Sequence, residues 1–434
     1  MTTIVLGSGI AGISAGYHLK NTGDIPVIFE KNDDWGGLCG NFEINGFRFD
    51  KFVHFSFAQD EYIVNIFNNS CKFLEHIPFP SNYYNGIWLR HPAQNNLAPL
   101  STEEKVKIIC DFVNKKNRSV DELNNYEEWL RTQYGDYFAE TFPFKYTRKY
   151  WGVEPKELET KWVGKRMYIP ELAQVLRGAF ETQEECFYYA KVMKYPEKGG
   201  FRAILNTSRE GLDIRFNKEV IKIDTKNRQI IFQDGGNCTY TRLISTLPLP
   251  EMVNMLVDVP VKVKQAGENL MFTSGYMVSL GFNKPDITKH LWFYIYDEDI
   301  LASRVYSPSL KSPDNVPDGC SSLQAEIFFA NSLAQCEERK TSLSQDEILE
   351  NTISSLISMG LFKKEDILIK DIRFEKYANI IFDHDIYKNR KIVLDYLASI
   401  GIESIGRFGK WEYQWTHQAY ADGMSVIRKE HTNA

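Results

Sequence analysis

The residues whose types and spacing suit chemistry begin at the head of the chain. Gly7-Ser8-Gly9-Ile10-Ala11-Gly12 sets three glycines at the intervals of a phosphate-cradling turn. Gly7 allows a tight turn, Gly9 lets the backbone approach a pyrophosphate, and Gly12 lets a helix pack closely on the strand before it. The bare N–H groups and the positive end of the helix dipole then face the phosphates. Glu30 ends the next apolar run, at the spacing of an acid that binds a ribose hydroxyl. Together with Ile10, Ala11 and Lys31, these residues form the expected dinucleotide-binding set. The elements that must position them are visible too: an apolar strand from Thr3, a helix-like apolar run, and a second strand, Val27-Ile28-Phe29. Without that frame a glycine loop would say little.

The chain has 434 residues, 43% hydrophobic and 25% charged, an ordinary globular composition with room for two or three packed units. A net charge of −6 gives no overall attraction to nucleic acid or to an acidic membrane surface. Aromatic residues reach 14%, compatible with a cleft that stacks flat rings as well as with core packing. Cysteines stand at Cys39, Cys71, Cys110, Cys186, Cys238, Cys320 and Cys336, an odd number with no CxxC pair. Reduced thiols are expected, not a disulfide framework or a metal site. The first strand starts at the N-terminus and leaves no room for a signal peptide. No apolar run approaches the roughly 18 residues of a membrane span, so a cytoplasmic location is expected.

Along the chain, Phe42 to Asp50 alternates around Asn45-Gly46 and reads as a hairpin. A helix is expected over Glu61 to Asn68, and a second hairpin around Tyr83 to Gly86. Ser101-Thr-Glu-Glu104 is a capping box that opens a helix. Helices follow at Tyr126 to Tyr134 and Ile169 to Thr182, with an aromatic and basic stretch, Phe138 to Trp151, between them. Strands are expected at Asp213 to Phe216, Glu219 to Ile223, Gln229 to Phe232 and Thr239 to Thr246. Longer ones are expected at Ser274 to Phe282, Leu291 to Tyr296 and Leu323 to Phe329, then a helix over Gln345 to Met359. The tail combines a glycine turn at Gly406 with a helix.

Several blocks carry a resemblance. Trp35-Gly36-Gly37-Leu38 resembles the second flavin motif of the amine oxidase-like FAD superfamily. His91-Pro-Ala-Gln-Asn-Asn-Leu97, Tyr146-Thr-Arg-Lys-Tyr-Trp-Gly-Val-Glu-Pro-Lys-Glu-Leu158 and Gly406-Arg-Phe-Gly-Lys-Trp-Glu-Tyr413 are similar, in order, to blocks of the UDP-galactopyranose mutases within the flavin amine oxidase and protoporphyrinogen oxidase superfamily. The resemblance implies an α/β fold: a Rossmann-like FAD-binding domain of the GR2 type, a helical insertion, and a mixed or antiparallel substrate-domain sheet. The implied division is 1–70, 191–260 and 390–434 for FAD, 98–190 for the insertion, and 71–97 with 261–389 for the sheet. The implied activity is a non-redox pyranose-to-furanose ring contraction of a nucleotide sugar. Reduced FAD would supply N5 as nucleophile, and NAD(P)H or another reductant would keep it reduced. A homo-oligomer is compatible with this.

The resemblance also assigns residues. Arg166 and Arg304 fall where the family has phosphate-binding arginines, whose planar forks suit phosphate oxygens. Tyr377 and Tyr413 would donate phenol hydrogen bonds to the same group. Phe142, Tyr146 and Trp151 would form a base-stacking wall, with a hydrophobic helix core as the alternative for Phe142 and Trp151. Gln94 would read a base edge. His54 matches a histidine beside the flavin that responds to redox state through a hydrogen bond. Gly37, Leu38, Val220, Gly406, Arg407 and Gln418 complete the cofactor set. His91, Ala93, Thr147 and His417 depart from the family pattern and leave the base and the sugar open. The same fold also hosts true redox enzymes of the amine oxidase type and non-catalytic FAD-binding proteins.

Overall fold

The computed structural model describes residues 2–116, 118–119, 122–164, 166–183, 190–334 and 343–427. Cys186 and Cys336 lie outside them, and the other five cysteines are free thiols. Thr3–Leu6 is the middle of a five-stranded parallel sheet ordered Ile402–Ser404, Arg242–Ser245, Thr3–Leu6, Val27–Phe29, Asp213–Arg215. Every residue of that middle strand is buried, which is why it reads as an unbroken apolar run. On the next strand Ile28 turns to the helix Ile10–Asn21, while Phe29 meets Phe232 at 4.6 Å on the other side. Phe232 belongs to a three-stranded antiparallel meander, Val220–Asp224, Gln229–Phe232 and Asn237–Thr239. The tail helix Thr416–Met424 returns to pack on Ile10–Asn21, where Ser14 Oγ donates to the Tyr420 carbonyl at 2.6 Å.

The second large sheet has seven strands, ordered Ile367–Ile380, Phe272–Phe282, Ser321–Asn331, Arg304–Tyr306, Trp292–Ile295, Ser81–Tyr84, Ile87–Arg90. Only Trp292–Ile295 with Ser81–Tyr84 is parallel, so the sheet is mixed. Phe272–Phe282 and Ser321–Asn331 are buried nearly throughout, so neither shows a clean polar alternation. Two strands escape sequence reading. Arg304–Tyr306 is too short to show a period. Ile367–Ile380 is the sheet edge and carries Lys370, Asp371, Arg373, Glu375 and Lys376, charges that blunt an exposed edge and mask the strand signal.

The helices follow local rules. Ser101 and Glu104 cap Thr102–Asn114 reciprocally. The aromatic and basic stretch divides at Phe142 into Asp136–Thr141 and Pro143–Trp151, because Pro143 has no N–H to continue the helical hydrogen bonds and suits the first position of a new helix. The helix expected from Ile169 starts only at Leu172, after Pro170 and its cap Glu171. Among the described residues no helix is long and apolar enough to cross a membrane.

One ion pair lies fully inside. Lys311 Nζ reaches Asp50 Oδ2 at 2.5 Å with both side chains shut off from solvent. Asp50 also accepts from Tyr195 Oη at 2.7 Å and from the Phe201 N–H at 2.9 Å. The ammonium sits among the rings of Tyr195, Tyr306 and Phe55, at 4.1, 4.9 and 5.4 Å from their centroids. Burial depresses the Lys311 pKa, and Asp50 works against that shift. Removing one partner strands a charge where water cannot reach it. Lys311→Met should therefore lower stability by about 3–5 kcal/mol in urea unfolding. Asp50→Asn/Lys311→Met should recover most of that loss, whereas additive losses from the two changes would contradict the pairing.

Candidate functional site

Between the two large sheets lies a cavity of about 710 Å³. At one end the glycine loop forms its wall. Gly7 has φ +93°, and its N–H donates to the Phe29 carbonyl at 2.8 Å. A Cβ on residue 12 would stand 1.9 Å from the Gly7 carbonyl oxygen, so only glycine allows the helix to start so close to the strand. Gly7, Gly9, Ile10 and Ala11 line the cavity, while Gly12 backs the loop. The second glycine motif docks on the first: the Gly36 N–H donates to Ser8 O at 2.9 Å, and Gly37 and Leu38 line the cavity.

Glu30 is buried at the same end. Ser8 N and Oγ donate to one of its oxygens at 2.9 and 2.8 Å. Asn32 N and Nδ2 donate to the other at 3.0 and 2.7 Å. A carboxylate has about four acceptor positions, so a ribose hydroxyl must displace Ser8 Oγ or Asn32 Nδ2, the two donors free to rotate. Lys31 and Val220 complete this end.

Away from the loop the cavity gathers His54, Arg304, Arg407 and Tyr413; Tyr377 and Gly406 line it too, Gly406 against Ala11 of the glycine loop. The Tyr413 ring lies beside two guanidinium groups, Arg166 at 4.3 Å and Arg407 at 5.1 Å from its centroid. Arg166 is also 5.5 Å from the Trp415 ring. Its terminal nitrogens donate to the carbonyls of Trp162 at 2.7 Å and Tyr413 at 3.1 Å, while its buried Nε has no partner among the described residues. Burial lowers the Arg166 pKa; the Tyr413 phenol opposes the shift and the Arg407 charge adds to it. Arg407 donates to Asn379 Oδ1 at 2.9 Å, and its Nε is likewise buried with no partner among the described residues.

Arg304 differs. Its Nε donates to Glu326 Oε2 at 2.7 Å and a terminal nitrogen meets the same oxygen at 2.5 Å. Burial opposes the Arg304 charge, but Glu326 and the neighbouring phenols of Tyr146, Tyr150 and Tyr294 raise its pKa well above the ordinary value. It is therefore a neutralised cation. Arg166 and Arg407 both stand against the Tyr413 ring, while Arg304 stands against Tyr150 at 5.8 Å from its centroid.

Other expected residues are placed differently. Phe142 is buried between Phe138, Tyr84 and Tyr296, with ring centroids at 4.8, 5.1 and 5.1 Å, and belongs to the core. Trp151 is also buried, against Tyr150 and Trp162. Gln94 donates its Nε2 to the Tyr168 carbonyl at 3.0 Å, outside the cavity. Gln418 is exposed and caps its own helix by accepting from Trp415 N at 2.9 Å; Gln414, Trp415, Thr416 and Ala419 reach the cavity instead. Tyr146 stands one ring behind the wall, stacked on Tyr150 at 5.5 Å. Tyr377 lines the cavity, and its phenol donates to Glu251 at 2.8 Å.

Sequence reading missed Glu326, Asn379, Tyr294 and Trp415. For Glu326 a signal exists: it is the one acid inside the otherwise uncharged strand Ser321–Asn331, and a buried acid demands a partner.

His54 also lines the cavity. Its ring stacks on Phe201 at 5.0 Å, and its Nδ1 lies 3.2 Å from the Phe52 carbonyl. Burial pushes its pKa down to about 4, with Asp50 opposing and Lys311 assisting. With the Nδ1 proton given to that carbonyl, neutral His54 keeps Nε2 as an acceptor.

The flavin containing amine oxidoreductase family matches residues 10–368. The chain belongs to that family. Its cofactor is FAD, and the site fits it: the loop closes tightly because residues 7 and 12 lack side chains, Gly9 lines the cavity, and Arg407 Nε and Gln414 Oε1 are buried polar atoms with no partner among the described residues. The chain shares its fold with a reduced UDP-galactopyranose mutase, with TM-score 0.90 at 24% identity, covering 100% of this chain and 96% of that one. It also shares it with a protein described as a protoporphyrinogen oxidase from Exiguobacterium sp. 255-15, with TM-score 0.76 at 15% identity, covering 100% and 99%. Among curated proteins, a 1-hydroxycarotenoid 3,4-desaturase of Flavobacterium sp. (strain P99-3) is 49% identical over 47 residues, 11% of this chain and 10% of that protein. The match thus spans about a tenth of the desaturase's length.

Two outcomes follow. Gly12→Ala should yield protein that purifies with little FAD, read from the flavin-to-protein absorbance ratio; full occupancy would contradict the close approach. Folded His54 refuses the proton that an unfolded histidine binds below its ordinary value of 6.5, down to about 4. Stability should therefore fall as pH drops through that window. His54→Gln should flatten this acid limb in urea midpoints measured from pH 7 to 4, and an unchanged slope would contradict the burial.

Proposed function

We propose that this protein is a flavin-dependent nucleotide-sugar mutase that interconverts pyranose and furanose forms without net oxidation. The observation that supports it best is a pair of guanidinium groups against the Tyr413 ring, Arg407 lining the cavity and Arg166 just behind that lining, neither with a carboxylate partner among the described residues. A diphosphate satisfies such a pair through charge-assisted bonds. Bound and reduced, FAD supplies the nucleophile for ring contraction. Arg166 holds the diphosphate as it becomes a leaving group, with the Tyr413 phenol as a further donor. Arg304, turned by Glu326, presents its remaining N–H edge to the same anion. Tyr150, Tyr294 and Trp415 exclude water from the sugar. Neutral His54 offers an acceptor and does not serve as a general base.

The proposal extends to the division of labour along the chain: 1–70, 191–260 and 390–434 hold FAD, 98–190 covers the nucleotide, and 71–97 with 261–389 carries the sheet. The reductant is NAD(P)H or a similar donor. The competing reading is an amine oxidase-type oxidoreductase, which the short desaturase match favours. A cationic amine would have to enter against Arg166 and Arg407, and like charges oppose that approach.

The test is direct. Dithionite-reduced holoprotein incubated with UDP-, GDP- and dTDP-linked pyranoses should give a furanose product by chromatography. Arg166→Ala should weaken nucleoside diphosphate binding by roughly 1.5–3 kcal/mol, the worth of a charged hydrogen bond. Unchanged affinity, or no furanose from any donor while reduced FAD stays bound, would overturn the proposal.

A further inference from the structure

Five consecutive residues, Glu375, Lys376, Tyr377, Ala378 and Asn379, all line the cavity. A regular strand would offer only alternate ones, because successive side chains leave on opposite faces. The register explains the difference. Gly275 pairs with Glu375 and Thr273 with Asn379, so Ser274 alone stands opposite three residues, 376–378. The extra residues form a bulge, which interrupts the ladder and re-aims side chains. Ser274 Oγ donates to the Lys376 carbonyl at 2.8 Å, and the Asn379 N–H donates to Thr273 Oγ1 at 3.1 Å. Two buried hydroxyls thus replace ladder bonds.

Each polar side chain of the run is tied to another segment. Glu375 pairs with Lys51 at 2.6 Å, and the Lys51 N–H donates to the Gly40 carbonyl at 2.9 Å, beside the second glycine turn. Lys376 Nζ and Tyr377 Oη both donate to Glu251 Oε1, the phenol at 2.8 Å. Glu251 lies in the first turn of the helix Leu249–Met255, just after the parallel strand Arg242–Ser245. Asn379 Oδ1 accepts from Arg407 at 2.9 Å, next to Gly406 and its contact with Ala11. One run of the seven-stranded sheet is sewn to three segments around the glycine loop. Lys51, Glu251, Glu375 and Lys376 line the cavity yet keep between 26% and 43% of their side chains exposed, so they stand at its lip. Burial raises the Glu251 pKa, but the bonds from Lys376 and Tyr377, with the charges of Lys376 and Lys31, bring it below its ordinary value. The carboxylate stays ionised between its donors.

We propose that Glu251 is a positioning residue for the cofactor: through Lys376 and Tyr377 it fastens the bulged run across the cavity lip, and unfastening that run lets FAD leave. A cofactor held between two sheets escapes along the edge that opens most readily. The bulge is that edge, because its ladder is interrupted and its ties across the lip are charged and within reach of water. Salt weakens ion pairs in such a setting. One pair of this kind contributes little, but three ties on five residues must open together. The seam closes over FAD whatever substrate the flavin serves, so its failure would leave the nucleotide-sugar reading standing.

FAD release is followed by the rise of free-flavin fluorescence after dilution of oxidised holoprotein, with far-UV circular dichroism recorded alongside. Glu251→Gln should release FAD at least about tenfold faster than wild type, in line with loss of hydrogen bonds to a charged group. Raising sodium chloride from about 0.05 M to about 0.5 M should speed wild-type release at least about threefold and Glu251→Gln less than about twofold. Should Glu251→Gln not fold, Lys376 carries the test: Lys376→Met should release FAD at least about fivefold faster, and Lys376→Arg should stay within about twofold of wild type. Release from Glu251→Gln or Lys376→Met within about twofold of wild type, or an equal salt response in Glu251→Gln and wild type, would overturn the fastening. So would FAD loss from Lys376→Met that only tracks loss of its circular dichroism signal.

Discussion

One close approach governs the dinucleotide end. The Gly7 carbonyl oxygen occupies space that any side chain on residue 12 would need, with 1.9 Å to the position of a Cβ. That contact sets where the helix Ile10–Asn21 begins and aims its N-terminal N–H groups at the cavity. The Gly36–Gly37 turn then bridges to Gly9, and Gly406 comes against Ala11, where a Cβ would lie 2.6 Å away. Three segments far apart in the chain meet on one turn. A parallel sheet with Thr3–Leu6 at its centre keeps that turn in register with the strand ends around it.

The other end is organised by which charges are cancelled. Lys311 with Asp50, and Arg304 with Glu326, are buried pairs whose desolvation is offset by short, multiple hydrogen bonds. They fix the loop from Asp50 to His54 and the short strand that carries Arg304. Arg166 and Arg407 are held by carbonyls, an amide and aromatic faces. Those partners orient a guanidinium without neutralising it. Arg407 lines the cavity, and Arg166 touches the Tyr413 ring from behind that lining.

Much of this was legible in the sequence, and the limits have physical causes. The glycine loop, Glu30 and the hairpin at Asn45-Gly46 rest on local backbone rules, and they are where local reasoning placed them. Ile367–Ile380 hid behind its edge charges, and Arg304–Tyr306 behind its length. At the site, motif position located His54, Arg407 and Tyr413 at the cavity. It could not reveal that Glu326 sits across from Arg304, because a strand register joins residues distant in sequence. Phe142 and Trp151 look like a stacking wall by type, but the turn at Pro143 points Phe142 into the core. Gln418 sits in the right helix on its outward side.

The charge of the preferred ligand tests the central claim most directly. The visible spectrum of the holoprotein, followed during titration with UDP and separately with a simple arylalkylamine, reports which ligand reaches the flavin end. A saturable spectral shift with UDP and none with the amine is expected. A saturable shift with the amine and none with UDP would contradict an anion-binding site beside the flavin.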